Sequence, residues 1–159
     1  MIVNRQRRFR VPVKDLAEFL ARARRAVRLP AGSLTVCLVT SAQIARWNRA
    51  YRGKRGPTDV LSFPTERKPS GRGKRRTRRR RDANPFLGGI AGGASYLGDI
   101  AIAPAVARQN ARRFGRTFAQ EMRILILHGM LHLMGYDHET DTGQMDRRER
   151  RLHRELGLA

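Results

Sequence analysis

Three of the four histidines in this chain fall within eleven consecutive residues, at positions 128, 132 and 138. In a helix, His128 and His132 lie four residues apart and project from the same face. Gly135 can end such a helix in a left-handed conformation, so that the chain turns and carries His138 towards the other two. Three imidazoles around one point form an open tetrahedral zinc site, with the fourth position left for water. The spacing therefore predicts a metal-dependent hydrolase.

The same spacing occurs in zinc peptidases, but one residue differs. Those enzymes have histidines at i, i+4 and i+10, a glycine at i+7, and a glutamate directly after the first histidine as general base. This chain has Gly129 there, so peptide hydrolysis by that mechanism is not expected. A hydrolase built on this site needs another proton acceptor, and Asp137, a metal hydroxide or the substrate could each serve.

Four other residues have side chains that can take part in metal binding or catalysis. Glu139 follows the third histidine and fits an ordinary turn residue better than a functional one. Asp99 could orient a metal-bound imidazole, or it could be a carboxylate satisfied within a turn. His153 lies in an arginine-rich amphipathic segment and is expected to be solvated. Cys37 lies in an apolar run and is expected to be a buried small residue.

The charge of the chain points to a polyanionic partner. Its 34 Lys and Arg against 13 Asp and Glu give a formal net charge of +21 over 159 residues. RNA, DNA and an anionic membrane surface all fit such a charge, the membrane less well because no apolar face accompanies the arginines. No apolar run reaches the roughly 20 residues that a transmembrane helix needs. The first residues lack the apolar stretch of a signal peptide, so a cytoplasmic location is expected.

The remaining sequence predicts alternating strands and helices. Ser41 is a candidate cap for the second helix, Thr117 and Gln120 form a capping-box signature before the histidine helix, and Asp141 is a candidate cap for the last helix. This order predicts an α/β (α+β) fold, in which a small mixed sheet packs with helices and the metal site lies at the end of a central helix. The strands are expected near residues 1–10, 33–40, 60–63 and 96–103, and the helices near 12–27, 41–51, 104–114, 117–134 and 143–156.

Residues 67–81 have a different composition, since ten of the fifteen are Lys or Arg. They cannot bury apolar surface and their charges repel each other, and glycines at 88, 89, 92 and 93 extend the connection. We therefore expect one domain over residues 1–159 with a basic, disordered loop at about 67–93. Such a tract contacts phosphates without reading base sequence.

Three segments resemble one known family, the YbeY-type endoribonucleases, also called rRNA maturation factors. They are Asn48 to Pro64, the run Leu97-Gly98-Asp99-Ile100, and His128 to His138, which matches the family signature His-Gly-x-Leu-His-Leu-x-Gly-Tyr-Asp-His. The third match is highly specific. The basic segment at about 67–93 is longer and richer in arginine than the usual connection in this family.

The resemblance implies a zincin-like, zinc-dependent hydrolase that cuts single-stranded RNA. It implies work on ribosomal RNA, notably at the 3′ end of 16S RNA, ribosome quality control, contact with the small ribosomal subunit and a cytoplasmic location, with no DNA or membrane partner expected. By position, His128, His132 and His138 match the ligands of one zinc ion, and Arg52 matches a functionally important arginine.

From the residues alone, Arg52 can bind a phosphate in bidentate fashion but fits a solvated cation near a helix C-terminus better, and Lys54 and Arg55 follow it in a Gly/Pro turn. The resemblance to the family favours the phosphate-binding role. We expect Arg52 to stabilise charge on the phosphate, with Lys54 and Arg55 as substrate contacts and Asp137 as a candidate catalytic group.

Two other functions fit parts of the sequence. A non-catalytic RNA-binding assembly factor would use zinc as a structural staple with four protein ligands. The sequence has no obvious fourth ligand, because Cys37 lies far away in an apolar strand. A zinc peptidase is the weaker alternative, because Gly129 replaces the glutamate.

Overall fold

The computed structural model describes residues 1–31, 33–65, 96–136 and 142–158. Strands and helices alternate from β1 to β3, and β4 is followed by three helices, in the order that the sequence predicts. The elements are β1 (Ile2–Asn4), α1 (Val13–Ala26), β2 (Leu34–Leu38), α2 (Ser41–Arg52), β3 (Val60–Pro64), β4 (Gly98–Ile102), α3 (Pro104–Arg113), α4 (Phe118–Leu133) and α5 (Gln144–Leu156). The expected basic loop at about 67–93 lies outside the described residues, so it and the single-domain prediction remain predictions.

The four strands form one mixed sheet in the order β1-β2-β4-β3. β1 and β2 are parallel, as are β2 and β4, whereas β3 runs antiparallel to β4 with Ser62 opposite Ile100. Side chains alternate between the two faces of each strand. Val36 and Ile100 therefore belong to the large core on one face, whereas Cys37 and Ala101 belong to a smaller core on the other.

Helix α4 is the central helix of the fold. It contacts α1, α3, α5 and both β3 and β4. Nine of its sixteen residues are buried, which explains why its sequence is apolar on most sides rather than on one stripe. The prediction of an α/β layer fold with a central histidine-bearing helix is confirmed.

Two of the three predicted helix starts can be compared with the structure. Thr117 caps α4 and forms the expected box, because its side chain accepts from the backbone N–H of Gln120 and the Gln120 side chain accepts from the N–H of Thr117. The predicted cap at Ser41 is wrong by one residue. Thr40 caps α2 through a box with Gln43, which leaves Ser41 as the first helical residue. Asp141 lies outside the described residues, and α5 follows Gly143.

Candidate metal centre and basic loop

His128 and His132 lie in the last two turns of α4, with their imidazoles on one side of the helix. The Nε2 atoms of the two rings are 3.1 Å apart. Two nitrogen ligands on one tetrahedral zinc, each with a bond of about 2.0–2.1 Å, are separated by roughly 3.3 Å. The pair therefore has the spacing that one zinc ion requires.

Gly135 follows the histidine helix with a φ of +94°, in the left-handed region. The predicted turn is therefore confirmed, and a Cβ there would be strained because side chains rarely adopt this conformation. His138 and Asp137 lie outside the described residues, so the third ligand and the candidate proton acceptor remain predictions. Within the described ranges, no group of three or more His, Cys, Asp or Glu side chains is placed to hold a metal.

A carboxylate that no sequence motif predicts contacts this histidine pair. Glu149, on α5, places Oε1 3.2 Å from Nδ1 of His128. When Nε2 of His128 serves as a metal ligand, Nδ1 carries the proton and donates a hydrogen bond to Glu149. This hydrogen bond fixes the orientation of the ring and its tautomer. The sequence separation of 21 residues hides this contact from any local motif, and only the packing of α5 on α4 reveals it.

His153 also belongs to this neighbourhood, which corrects the prediction that it is solvated. Its Nε2 lies 3.9 Å from Oε1 of Glu149, one helical turn away on α5. Burial is the largest influence on this imidazole, and it lowers the pKa of His153 even though the charge of Glu149 acts in the opposite direction.

Gly129, the residue in place of the peptidase glutamate, faces the sheet. A Cβ built on Gly129 would lie 2.7 Å from Cγ2 of Ile100 on β4. The Ser62 hydroxyl on β3 donates to the carbonyl oxygen of Gly129 at 3.2 Å, so both β3 and β4 contact α4 at this residue. Glycine is needed here because the helix approaches the sheet closely, and a glutamate side chain at this position would have to displace the core.

Among the described residues Asp99 contacts neither His128 nor His132, and it is not in a turn, so the turn interpretation from the sequence is wrong. It lies within β4 on the opposite face from Ile100, and it is fully buried. The Tyr96 hydroxyl donates to Oδ1 of Asp99 at 2.6 Å, whereas Oδ2 is buried and has no hydrogen-bond partner among the residues that the structure describes. Burial raises the pKa of Asp99 against the opposing effects of the Tyr96 hydrogen bond and the Arg5 charge.

Cys37 lies on the same face of the sheet and is buried, as predicted. Burial, with a smaller contribution from the Asp99 charge, raises the pKa of its thiol to about 11. A thiol with so high a pKa is a poor nucleophile and a poor metal ligand at neutral pH. This supports the expectation that Cys37 is structural.

The buried carboxyl group gives a first testable prediction. Since folding raises the pKa of Asp99, the folded protein binds more protons than the unfolded chain above pH 3.8, the ordinary value of the group. This contribution to the free energy of unfolding is therefore largest at acid pH and falls as pH rises towards the folded pKa.

Asp99→Asn removes the titrating group, so urea unfolding of both proteins at several pH values isolates its contribution. We expect the free energy of unfolding of the wild type to fall relative to that of the variant as pH increases from about 4. A difference between the two proteins that is independent of pH would contradict the assignment.

The loop after α2 carries the predicted substrate-binding cations. Arg52 is the last residue of α2, Gly53 ends the helix with a φ of +67°, and Lys54 and Arg55 are exposed beyond it. The buried Asn48 side chain donates to the carbonyl oxygen of Gly56 at 3.0 Å, which fixes the loop to the helix.

Helix α2 packs through Ile44 and Trp47 on the smaller core, on the opposite face of the sheet from α4. Within the described residues, no hydrogen bond or ion pair joins Arg52 to the histidine pair. Its catalytic role, and the substrate-binding roles of Lys54 and Arg55, therefore remain predictions. Among the described residues, no helix has both the length and the apolar composition needed to cross a membrane.

Comparison with known proteins agrees with the fold and the motifs. A family model described as Endoribonuclease YbeY matches residues 2–157. A relative from Koribacter versatilis with that name is 35% identical over 99% of this chain and 86% of its own length. Another from Solibacter usitatus is 41% identical over 74% of this chain, a match that spans only 61% of that relative.

A solved solution structure of a Thermotoga maritima protein superimposes with a TM-score of 0.59 and 26% identity, over 98% of this chain and 89% of that one. The sequence relatives are hydrolases by name, since an endoribonuclease cleaves RNA internally. The family model extends over the strand, loop and histidine motifs described above. The chain belongs to the YbeY family of endoribonucleases.

Proposed function

We propose that this chain is a zinc-dependent endoribonuclease that cleaves single-stranded RNA during ribosomal RNA maturation, notably at the 3′ end of 16S RNA, and in ribosome quality control. The observation that carries the proposal is the His128–His132 pair, with its two Nε2 atoms 3.1 Å apart and Glu149 on the far nitrogen of His128. The names of the relatives support RNA as substrate. A cytoplasmic location and contact with the small ribosomal subunit are part of the same proposal.

One zinc ion per chain would be held by His128, His132 and His138. Zinc bound there would supply a Lewis acid and would lower the pKa of a bound water towards about 7. Glu149, with Oε1 3.2 Å from Nδ1 of His128, would hold this ring in the tautomer whose Nε2 can bind the metal. Arg52 would bind the phosphate and stabilise its charge, with Lys54 and Arg55 holding the strand. Asp137 is one candidate for accepting the proton.

Arg52 supplies a direct test of substrate binding and turnover. Arg52→Ala should lower the rate of cleavage of a single-stranded RNA by roughly 100-fold or more, as for the loss of one charge-stabilising donor. Arg46→Ala is the matched control, because Arg46 is an exposed arginine on the same helix. The measurement is single-turnover cleavage of a labelled RNA, alone and as a duplex.

Cleavage of the single strand by the wild type, with little cleavage of the duplex, is the expected result. If the zinc-loaded wild type cuts neither RNA, the catalytic proposal is wrong and a non-catalytic assembly role becomes the better interpretation. Equal rates of RNA cleavage by Arg52→Ala and Arg46→Ala would contradict the proposed role of Arg52 but not the cleavage activity itself. Trimming of 16S RNA with an extended 3′ end in small-subunit particles tests the ribosomal substrate separately.

The role of Glu149 gives another prediction. Glu149→Gln keeps the size of the side chain but removes the charge that stabilises the Nδ1 proton of His128. We expect zinc affinity about 10–100-fold weaker, as is typical when the partner of a metal-bound histidine is replaced. Competition with a chromophoric chelator measures this affinity without reference to activity.

His153→Ala is the control for Glu149→Gln, because it removes the other imidazole near Glu149 and leaves the His128 contact in place. The control should bind zinc within a few-fold of the wild type. Wild-type zinc affinity in Glu149→Gln would show that Glu149 serves packing alone.

A further inference from the structure

A second basic surface lies at the corner between α3 and α4, away from His128 and His132. We call it the arginine–phenylalanine surface and define it by Arg108, Arg112, Arg113, Phe114 and Arg116. Phe118, the first residue of α4, adjoins it and precedes His128 by ten residues, a distance of about 15 Å along the helix axis. The surface is therefore separate from the candidate metal centre.

The positive charge of this surface is only partly offset by nearby carboxylates, one of which, Asp59, accepts a hydrogen bond from Asn110 on α3 at 2.9 Å. The sequence has no Asp or Glu between Asp99 and Glu121, and Glu121 forms an ion pair with Arg116 at 3.0 Å. Arg112 and Arg113 are exposed and form no ion pair in the described part of the chain. The end of α3 attracts these cations weakly through its dipole, but Arg108 and Arg112, four residues apart, repel each other. Intramolecular ion pairs therefore do not account for Arg112 and Arg113.

An exposed aromatic ring lies among these arginines. Phe114 is 53% exposed, and the guanidinium carbons of Arg113 and Arg116 lie 5.6 and 5.1 Å from its ring centroid. A single exposed phenylalanine needs no explanation. An exposed ring flanked by guanidinium groups has the composition of a surface that stacks nucleobases and neutralises phosphates together.

Arg108 is held in place by two further rings. Its guanidinium carbon lies 5.1 Å from the centroid of Phe9 and 5.3 Å from that of Phe118. The side chain is only partly exposed. A cation already fixed between rings loses less conformational entropy when it binds a phosphate than a free arginine does.

We propose that the arginine–phenylalanine surface is a second docking site for single-stranded RNA, at which a base stacks on Phe114 and the arginines contact the adjoining phosphates. This inference rests on the proposed function insofar as RNA is the substrate. RNA is favoured over an acidic protein because the exposed ring can stack on a base. The carboxylates of an acidic protein would need only the arginines. The site holds a strand whose cleaved phosphodiester lies at the other end of α4.

Conservative variants of Phe114 test the stacking. Phe114→Tyr keeps an aromatic face, whereas Phe114→Leu keeps apolar bulk without one. The probe is fluorescein-labelled oligouridylate of about 20 nucleotides, bound to the zinc-loaded full chain and followed by anisotropy, with gel analysis confirming that the RNA is intact. We expect Phe114→Leu to bind roughly 5–100-fold more weakly and Phe114→Tyr to bind like the wild type.

The phosphate contacts are tested by the salt dependence of binding. Arg112→Gln combined with Arg113→Gln should reduce the slope of log K against log salt by about 1.4, because each single-strand phosphate that the protein neutralises adds about 0.7 to the slope. The matched control is Arg22→Gln combined with Arg25→Gln, which removes the same charge from exposed positions on α1. The control should leave the slope unchanged.

Three results would overturn the proposal. The first is wild-type RNA affinity in Phe114→Leu, and the second is an equal decrease of the slope in the two arginine pairs. The third is an equal loss of affinity for RNA and for heparin, a polyanion without bases, in Phe114→Leu. The surface would then accept any polyanion, including an acidic protein.

These failures differ from failure of the proposed function. If the wild type cleaves RNA but Phe114→Leu binds normally, only the second site is wrong. If the wild type does not cleave RNA but Phe114→Leu binds it weakly, the docking site stands and the catalytic proposal is wrong.

Discussion

Replacing His132 with alanine should lower zinc affinity and RNA cleavage by more than about 100-fold each, since changing only the outer partner of a metal-bound histidine already costs about 10–100-fold. His132 contributes one of the two Nε2 atoms that lie 3.1 Å apart. Its loss leaves His128 with at most the one other predicted ligand, His138. Zinc bound per chain, measured after dialysis, and single-turnover cleavage of RNA are the two readouts.

The variant should remain folded, which makes its loss of function interpretable. His132 lies in the last turn of α4 and is only partly buried, and alanine is the strongest helix former. Without zinc, wild type and variant should therefore unfold at similar urea concentrations. Full zinc occupancy in His132→Ala would remove this residue from the ligand set. Loss of zinc with an unchanged rate of RNA cleavage would show that cleavage does not require the metal.

Much of the fold could be predicted because its signals are local. The capping box of Thr117 and Gln120, the turn at Gly135 and the two histidines four residues apart each depend on spacings of a few residues. The cap of α2 was misplaced because Thr40 and Ser41 are both good capping residues in sequence. A difference of one residue at a helix end leaves the packed face of α2 unchanged.

The parts of the candidate site that could not be predicted depend on packing between distant elements. Glu149 reaches His128 only because α5 lies against α4. Asp99 was misassigned because the motif gave its identity but not the sheet face on which it lies. In the register of the sheet, its neighbour Ile100 faces α4, so Asp99 must face away.

The close approach of Gly129 to Ile100 affects both the packing of α4 and the choice of residue after His128. The residue after the first histidine of a zinc peptidase has to present a carboxylate to the substrate. In this chain the same position lies over Ile100, which is fully buried, and its carbonyl oxygen accepts from Ser62. The close packing of α4 on the sheet therefore removes the space that a peptidase base would occupy. A proton acceptor for the proposed hydrolysis would have to come from elsewhere in the site.

Gly129→Ala should destabilise the protein by up to about 2 kcal/mol, because overpacking a core costs roughly 1–3 kcal/mol. The added Cβ would lie 2.7 Å from Cγ2 and 3.2 Å from Cδ1 and Cγ1 of Ile100. The opposing gain in helix propensity is about 1 kcal/mol, so a net gain in stability would contradict the contact. Urea unfolding without zinc gives the free energy of unfolding of each protein.

A double-mutant cycle identifies Ile100 as the cause. Ile100→Ala alone should cost about 2–5 kcal/mol through the cavity it leaves, but it also makes room for the new methyl group. The double variant should therefore be more stable than the sum of the two changes predicts, by at least about 0.5 kcal/mol. Additive effects would mean that Gly129 is required for another reason.

Gly129→Glu restores the peptidase sequence and should give no peptidase. The carboxylate would enter the core beside Ile100, and burying an unpaired charge there should cost more than about 4 kcal/mol, a large part of the stability of a domain of this size. We expect the variant to unfold at much lower urea concentrations and to leave unstructured peptides intact. A stable variant that cleaved peptides would show that this position can face the substrate, which would refute the packing described for α4.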